Sequence, residues 1–332
     1  MRAMILEKQA PIESAPLKAV EVPVPAPGRG EVRVRIRACG ICRTDLHVIE
    51  GDLPPARMPL IPGHQAVGVV DAAGPGAARF ATGRRVGIAW LRFTCGSCAD
   101  CRRGDENLCD LSRYTGWQED GGYAEYAVVP EAFAYPIPDA FSDEEATPLL
   151  CAGIIGYRAL KRSEVAPGGR LGIFGFGSSA HVTIQVARRR CCEVYVSTRE
   201  ENHRRLALDL GAVWAGGAHD VPPAALDGAI LFAPAGEIVL PALRSLRKGG
   251  TLACAGIWLS DIPSMAYEPH LFHEKRLTSV EANTRLDGED LLREAAEIPI
   301  RPRTRTYPLE EANRALQDLK RGVIDGTGVL VV

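Results

Sequence analysis

From Arg170 to Gly256 the chain repeats one pattern that few folds can carry. Arg170-Leu-Gly-Ile-Phe-Gly175 is a short apolar run without polar alternation, as expected of a strand covered on both faces. Gly175-Phe-Gly177-Ser-Ser-Ala180 follows at once, and a helical stretch continues to about Arg190. Glu193 to Ser197 reads as a second strand and Glu200 to Leu210 as a second helix. Asp227 to Phe232 and Thr251 to Gly256 read as later strands, with a helix over Glu237 to Arg247 between them. Strands and helices in alternation predict an α/β unit with a doubly wound parallel sheet. Within it, Gly175-x-Gly177-x-x-Ala180 has the spacing of a dinucleotide-binding turn. The first glycine permits the tight turn, the second lets a pyrophosphate approach the backbone, and Ala180 is small enough for close helix–strand packing. The phosphates then rest on a helix N-terminus. His181, inside that helix, reads as packing.

The end of the second strand selects the dinucleotide. NAD-specific sheets place Asp or Glu there, on the ribose 2′-hydroxyl. This chain has Ser197, Thr198 and Arg199. No carboxylate repels a 2′-phosphate, the Ser197 hydroxyl can donate to it, and Arg199 can pair with it through its fork of N–H groups. Arg204 and Arg205 follow in the next helix, with Glu200 and Glu201 as counter-charge. The expectation is NADP in preference to NAD.

The chain before Ser142 has another character. Glu31 to Arg37 alternates apolar and charged residues, the period of a half-buried antiparallel strand. Val67 to Val70, Arg85 to Ile88 and Tyr123 to Val129 read as further strands, and no convincing helix precedes residue 140 or so. Two clusters of metal-binding residue types lie in this β-rich half. Cys95-Gly-Ser-Cys98-Ala-Asp-Cys101 and Cys109 bring four cysteines within fifteen residues, the donor set of a closed tetrahedral zinc site. The second cluster, Cys39-Gly-Ile-Cys42-Arg43-Thr44-Asp45-Leu-His47 and then His64, supplies a thiol and an imidazole. A third ligand must come from elsewhere, and Cys151 is the candidate. Three protein ligands and one open position characterise a catalytic zinc. Ser142 to Glu145 looks like a helix cap with acids in the first turn, and the helix should run to about Leu160 in two segments broken at Cys151. A helix over Pro308 to Lys320 and a strand over Gly328 to Val332 should return to the first domain. The expected division is 1–150 with 290–332, and 151–289.

With 332 residues, two domains are the natural expectation. A net charge of −2 offers no basic field for nucleic acid or an anionic membrane surface. Neither a signal peptide nor an apolar run of about 18 residues is evident, so a cytoplasmic protein is expected. Ten cysteines in a reducing compartment argue for metal rather than disulfides.

Taken together, these motifs resemble the zinc-dependent alcohol dehydrogenases of the medium-chain dehydrogenase/reductase superfamily. The anchors are Gly40-Ile-Cys42-Arg43-Thr44-Asp45-Leu-His47, Gly63-His64-Gln65, Trp90-Leu91 before the Cys95–Cys109 stretch, Leu150-Cys151-Ala152-Gly153 and Gly175-Phe-Gly177. The resemblance covers nearly the whole chain and implies a GroES-like β-rich catalytic domain interrupted by a Rossmann domain. It implies catalytic zinc on Cys42, His64 and Cys151, structural zinc on Cys95, Cys98, Cys101 and Cys109, and Cys39 as a bystander. Thr44 would take the alcohol proton and His47 would end the relay. Asp45 would orient His64, Arg43 would meet the cofactor pyrophosphate, and Trp90 would narrow the pocket to short primary alcohols and aldehydes. A homotetramer or homodimer is the implied assembly.

Two departures stand out. Gln65 replaces the Glu common after the zinc-ligand His, and Asp325-Gly-Thr327-Gly lacks an Arg that many members aim at the cofactor phosphates. Polyols or secondary alcohols are an alternative substrate class. A zinc-free quinone or enone reductase of the same fold would not need these ligand sets. A non-enzymatic zinc- and nucleotide-binding protein would not need the Thr44–His47 pair.

Overall fold

The computed structural model describes residues 1–54, 56–298 and 300–332. The chain forms two compact units: Met1–Cys151 with Thr284–Ala296 and Pro302–Val332, and Ala152–Asn283 with Glu297–Arg301.

The first unit is built on a seven-stranded sheet. Its central strand, Glu31–Gly40, pairs antiparallel with Gln65–Ala73, Tyr126–Pro130 and the C-terminal Thr327–Val331. Val32, Val34 and Ile36 are buried while the intervening arginines are not, which is the predicted alternation. Arg85–Ile88 and Ala134–Pro136 extend one side. On the other side, Thr304–Pro308 pairs parallel with Thr327–Val331.

The expectation of no helix before residue 140 fails. Arg43–Glu50 is α-helical, and so is the short Ala99–Arg103 segment. In both, a cysteine is the N-cap: Cys42 Sγ accepts the Thr44 N–H, and Cys98 Sγ the Cys101 N–H. A thiolate can accept such bonds as a Ser hydroxyl does. After residue 140 the predicted two-part helix appears, as Asp143–Ala146 opened by a Ser142/Glu145 capping box, a 3-10 turn over Thr147–Leu150, and Ala152–Arg162. Cys151 sits at the break with φ −136° and ψ −69°.

The second unit contains a six-stranded sheet, parallel throughout. Its order is Trp214–Gly216, Glu193–Ser197, Arg170–Phe174, Leu226–Leu231, Leu246–Cys254, Arg276–Ser279. Numbered along the chain, that is 3-2-1-4-5-6, the dinucleotide-binding order. Its core includes Phe174, Leu231, Val239, Leu243 and Leu252. No helix among the described residues is long and apolar enough to cross a membrane.

Candidate active site

The helix Arg43–Glu50 and the start of strand Gln65–Ala73 bring the first donor set together. Cys42 Sγ, a His64 ring nitrogen and Cys151 Sγ all lie within 4.8 Å of one another. His64 Nε2 is 3.3 Å from Cys42 Sγ, and Nδ1 is 3.0 Å from Asp45 Oδ1. His64 and Asp45 are each 1% exposed. The Cys151 thiol donates to Cys42, and this bond, with His64 and the Thr44 side chain, outweighs burial and holds Cys42 well below the usual thiol range. Burial alone would lower the His64 imidazolium; Asp45 and Cys42 overcome it and raise the group to about 10. Two sulfurs and a nitrogen around one point are a zinc donor set, and three donors leave a tetrahedral position for a substrate oxygen. Cys39, by contrast, is wholly buried with its thiol pushed up by desolvation.

Helix geometry places the polar groups around this point. Thr44 is the second residue of Arg43–Glu50, and His47 lies one turn on, on the same face. His47 Nδ1 is 2.7 Å from Asp52 Oδ2, so its Nε2 remains for proton exchange. Arg43 is exposed at the helix start. Trp90 meets His64 edge-on at 4.9 Å between ring centroids.

The four other cysteines form a second group, with all Sγ atoms within 4.8 Å. Cys95 and Cys101 sulfurs are 3.9 Å apart, close to the roughly 3.8 Å that tetrahedral bonds of about 2.3 Å to zinc require. Backbone N–H groups of Ser97 and Cys98 point at Cys95 Sγ and hold that thiol down at about 6. The group offers four donors and no gap.

In the other unit, Gly175 has φ +88°, and a Cβ there would lie 2.7 Å from the Ala233 nitrogen, so only glycine fits. A Cβ on Gly177 would meet nothing within 4 Å, which leaves the approach to the Ser178–Arg189 helix start clear for a pyrophosphate. Ala180 is fully buried, as close packing demands. Ser197 and Thr198 are also buried, and Ser197 Oγ has no hydrogen-bond partner. The exposed Arg199 pairs with Glu200 at 2.6 Å, while Arg204 donates to the Thr198 and Arg199 carbonyls.

The sequence pattern of the alcohol dehydrogenase GroES-like domain matches residues 28–139. Over 337 aligned residues, 100% of this chain and 97% of the relative, the sequence is 54% identical to a Mycobacterium tuberculosis protein named "Probable alcohol dehydrogenase AdhA". The chain belongs to the zinc-dependent alcohol dehydrogenases of the medium-chain dehydrogenase/reductase superfamily. Two solved structures superpose over the whole chain: an NAD-dependent alcohol dehydrogenase (TM-score 0.90, 27% identity, 100% of each chain) and a cobalt- and zinc-bound thermostable alcohol dehydrogenase from Pyrobaculum aerophilum (TM-score 0.89, 26% identity, 100% of this chain and 99% of that one). The protein is thus an alcohol dehydrogenase, an oxidoreductase that interconverts alcohols and aldehydes.

Several features of this dehydrogenase escape the sequence reading. Tyr114 and Trp117 stack with Trp90, at 4.9 and 6.0 Å, and Trp117 donates to the Pro54 carbonyl. Tyr123 donates to Asp45 from full burial. Gln65 is wholly buried, with neither carboxamide atom hydrogen-bonded. A Trp pair near His64 was partly signalled by Trp90; nothing local marks the other three aromatic residues.

Proposed function

We propose that this enzyme interconverts short primary alcohols and their aldehydes, with NADP preferred over NAD. The observation that carries the reading is the convergence of Cys42, His64 and Cys151 beside Trp90. In this reading those three residues hold a catalytic zinc, and Cys95, Cys98, Cys101 and Cys109 hold a structural one. Zinc held there would supply a Lewis acid that brings the pKa of a hydroxyl down to about 7, and a nicotinamide held at the Gly175–Gly177 turn would supply hydride chemistry. The chain's own residues do the rest. Thr44 accepts the alcohol proton through its hydroxyl and passes it toward His47, whose Nδ1 is committed to Asp52. Asp45 holds the His64 ring in place. Trp90, backed by Tyr114 and Trp117, walls the site with flat, rigid side chains that leave little room for a second substituent on the reacting carbon.

Metal analysis of the pure protein should give about two zincs per chain on this ligand count. Cys42→Ser should lose one of them and turnover while melting near the wild type. Cys98→Ser should lower the melting temperature, because a closed Cys₄ site contributes folding energy. One zinc or none after metal-replete expression overturns the two-site reading.

For substrate, ethanol and 1-butanol should be oxidised faster than cyclohexanol, and Trp90→Ala should narrow the gap. A wild-type enzyme that prefers cyclohexanol rules the aromatic wall out as the discriminating element.

For the relay, His47→Ala should slow alcohol oxidation most near neutral pH. The loss should shrink at high pH, where hydroxide takes the proton, or with added imidazole base. Equal rates for variant and wild type at pH 7 would show that the proton leaves by another path.

NADP preference is supported by uncharged Ser197 and Thr198 where a carboxylate would exclude the 2′-phosphate, and by exposed Arg199. Because Ser197 Oγ is covered, Arg199 is the group expected to meet the phosphate. Arg199→Ala should raise the KM for NADP by about tenfold, the size of a charge-assisted contact, and leave that for NAD nearly unchanged. A wild-type kcat/KM favouring NAD would refute the assignment.

A further inference from the structure

Asp45 is the most heavily bonded group near the catalytic donors. Its Oδ2 accepts the Cys42 N–H at 2.8 Å and the Tyr123 O–H at 3.0 Å, and its Oδ1 faces His64 Nδ1 at 3.0 Å. Tyr123 is 0% exposed. Its ring is wedged against Gly63, where φ is +96° and a Cβ would come within 2.3 Å of the ring. The backbone around the ring is zipped to the segment that leads into His64. Gly121 N–H donates to the Ile61 carbonyl, Gly122 to Gly63 and Tyr123 to Pro62, while Met4 N–H donates to the Tyr123 carbonyl. The phenol therefore has a fixed position, and burial together with the Asp45 charge keeps it protonated.

We propose that Tyr123 is a positioning residue for the metal ligand His64, acting through Asp45. The phenol occupies Oδ2, so the carboxylate cannot rotate to offer that oxygen to the imidazole. Oδ1 is then held to Nδ1–H, which fixes the tautomer and turns Nε2 toward the Cys42 and Cys151 sulfurs. Without the hydroxyl, Asp45 keeps the Cys42 N–H but has an unfilled buried lone pair, and the His64 ring gains freedom. Carboxylate partners of ligating histidines commonly contribute 10–100-fold to metal affinity, and a group one bond further out should sit near the lower end.

The inference rests on Cys42, His64 and Cys151 being a zinc site, and the experiment separates the two. Zinc release from the purified holoenzyme to a chromogenic chelator is followed for wild type, Tyr123→Phe, Asp45→Asn and the double variant. Tyr123→Phe keeps the ring, and its melting temperature reports whether the fold is intact. One zinc equivalent should leave Tyr123→Phe about tenfold faster than wild type, while the other leaves at the wild-type rate. The double variant should release zinc no faster than Asp45→Asn alone, because both changes act on one path. Turnover should fall in kcat, with the cofactor KM unchanged. Release of both equivalents at wild-type rates from folded Tyr123→Phe, or additive effects in the double variant, overturns the role of Tyr123. If instead Cys42→Ser retains every zinc of the wild type, the site assignment itself is wrong.

Discussion

Cys42 caps a helix with the same sulfur that faces His64 and Cys151, and the geometry of the candidate site follows from that double use. Its Sγ accepts the Thr44 N–H at 3.2 Å, and its own N–H is accepted by Asp45. Together these bonds form a capping box in which a thiolate and an aspartate replace the usual hydroxyl and glutamate. An eight-residue helix is too short to persist alone in water. The cap and the buried face of Leu46, Val48 and Ile49 hold it. Since the cap atom also belongs to the Cys42–His64–Cys151 group, helix geometry places Thr44 and His47 relative to that group.

Charge explains how so polar a cluster tolerates burial. Asp45 and Cys42 raise His64 while Cys151 and His64 lower Cys42, so groups of opposite sign face each other in the pocket. Burial still costs several kcal/mol for each ion, and Asp45 shows it: desolvation raises its pKa against the pull of His64. Three donors on one carboxylate offset the cost, which is why the Tyr123 hydroxyl matters to a group it does not share with the metal. Zinc binds deprotonated ligands, so its capture by this donor set would displace protons.

What could be read in the sequence was whatever reports burial by period or chemistry by spacing. The alternation in Glu31 to Arg37 and the apolar runs at Arg170 and Glu193 became strands of the two sheets, because a period of two and an unbroken apolar run leave few alternatives. The grouping of Cys95, Cys98, Cys101 and Cys109 was legible because four cysteines at short intervals match a closed donor set, and that of Cys42, His64 and Cys151 because the motifs around them resemble a known family. The Arg43–Glu50 helix was not legible, since a cysteine cap carries no recognised start signal and the segment is too short to show a helical stripe. Nor was Tyr123, whose partner lies 78 residues away. Ser197 was read correctly as the strand end, but the direction of its side chain depends on packing that no local pattern encodes.

Four clustered sulfurs fix the Cys95–Cys109 loop internally without fixing where the loop sits. Glu106 supplies the missing constraint. It begins the 3-10 turn Glu106–Leu108, between Cys101 and Cys109, and its carboxylate accepts the Arg285 backbone N–H at 2.8 Å and the Arg285 guanidinium at 2.6 Å. Arg285 opens the helix Arg285–Glu297, 179 residues further along, and its guanidinium lies 4.5 Å from the centre of the Phe133 ring. The carboxylate is nearly buried and is also reached by the Thr94 hydroxyl. Such a pair adds little net stability over an apolar contact, yet losing one partner strands a charge, so it acts as a register pin. The pin works only if Glu106 is presented in one place. That placement depends on the turn between Cys101 and Cys109, and hence on the four sulfurs being close together. A metal on the four cysteines would therefore be coupled to the ion pair: it would shape the loop that aims the carboxylate, and the pair ties that loop to the helix Arg285–Glu297 of the same unit.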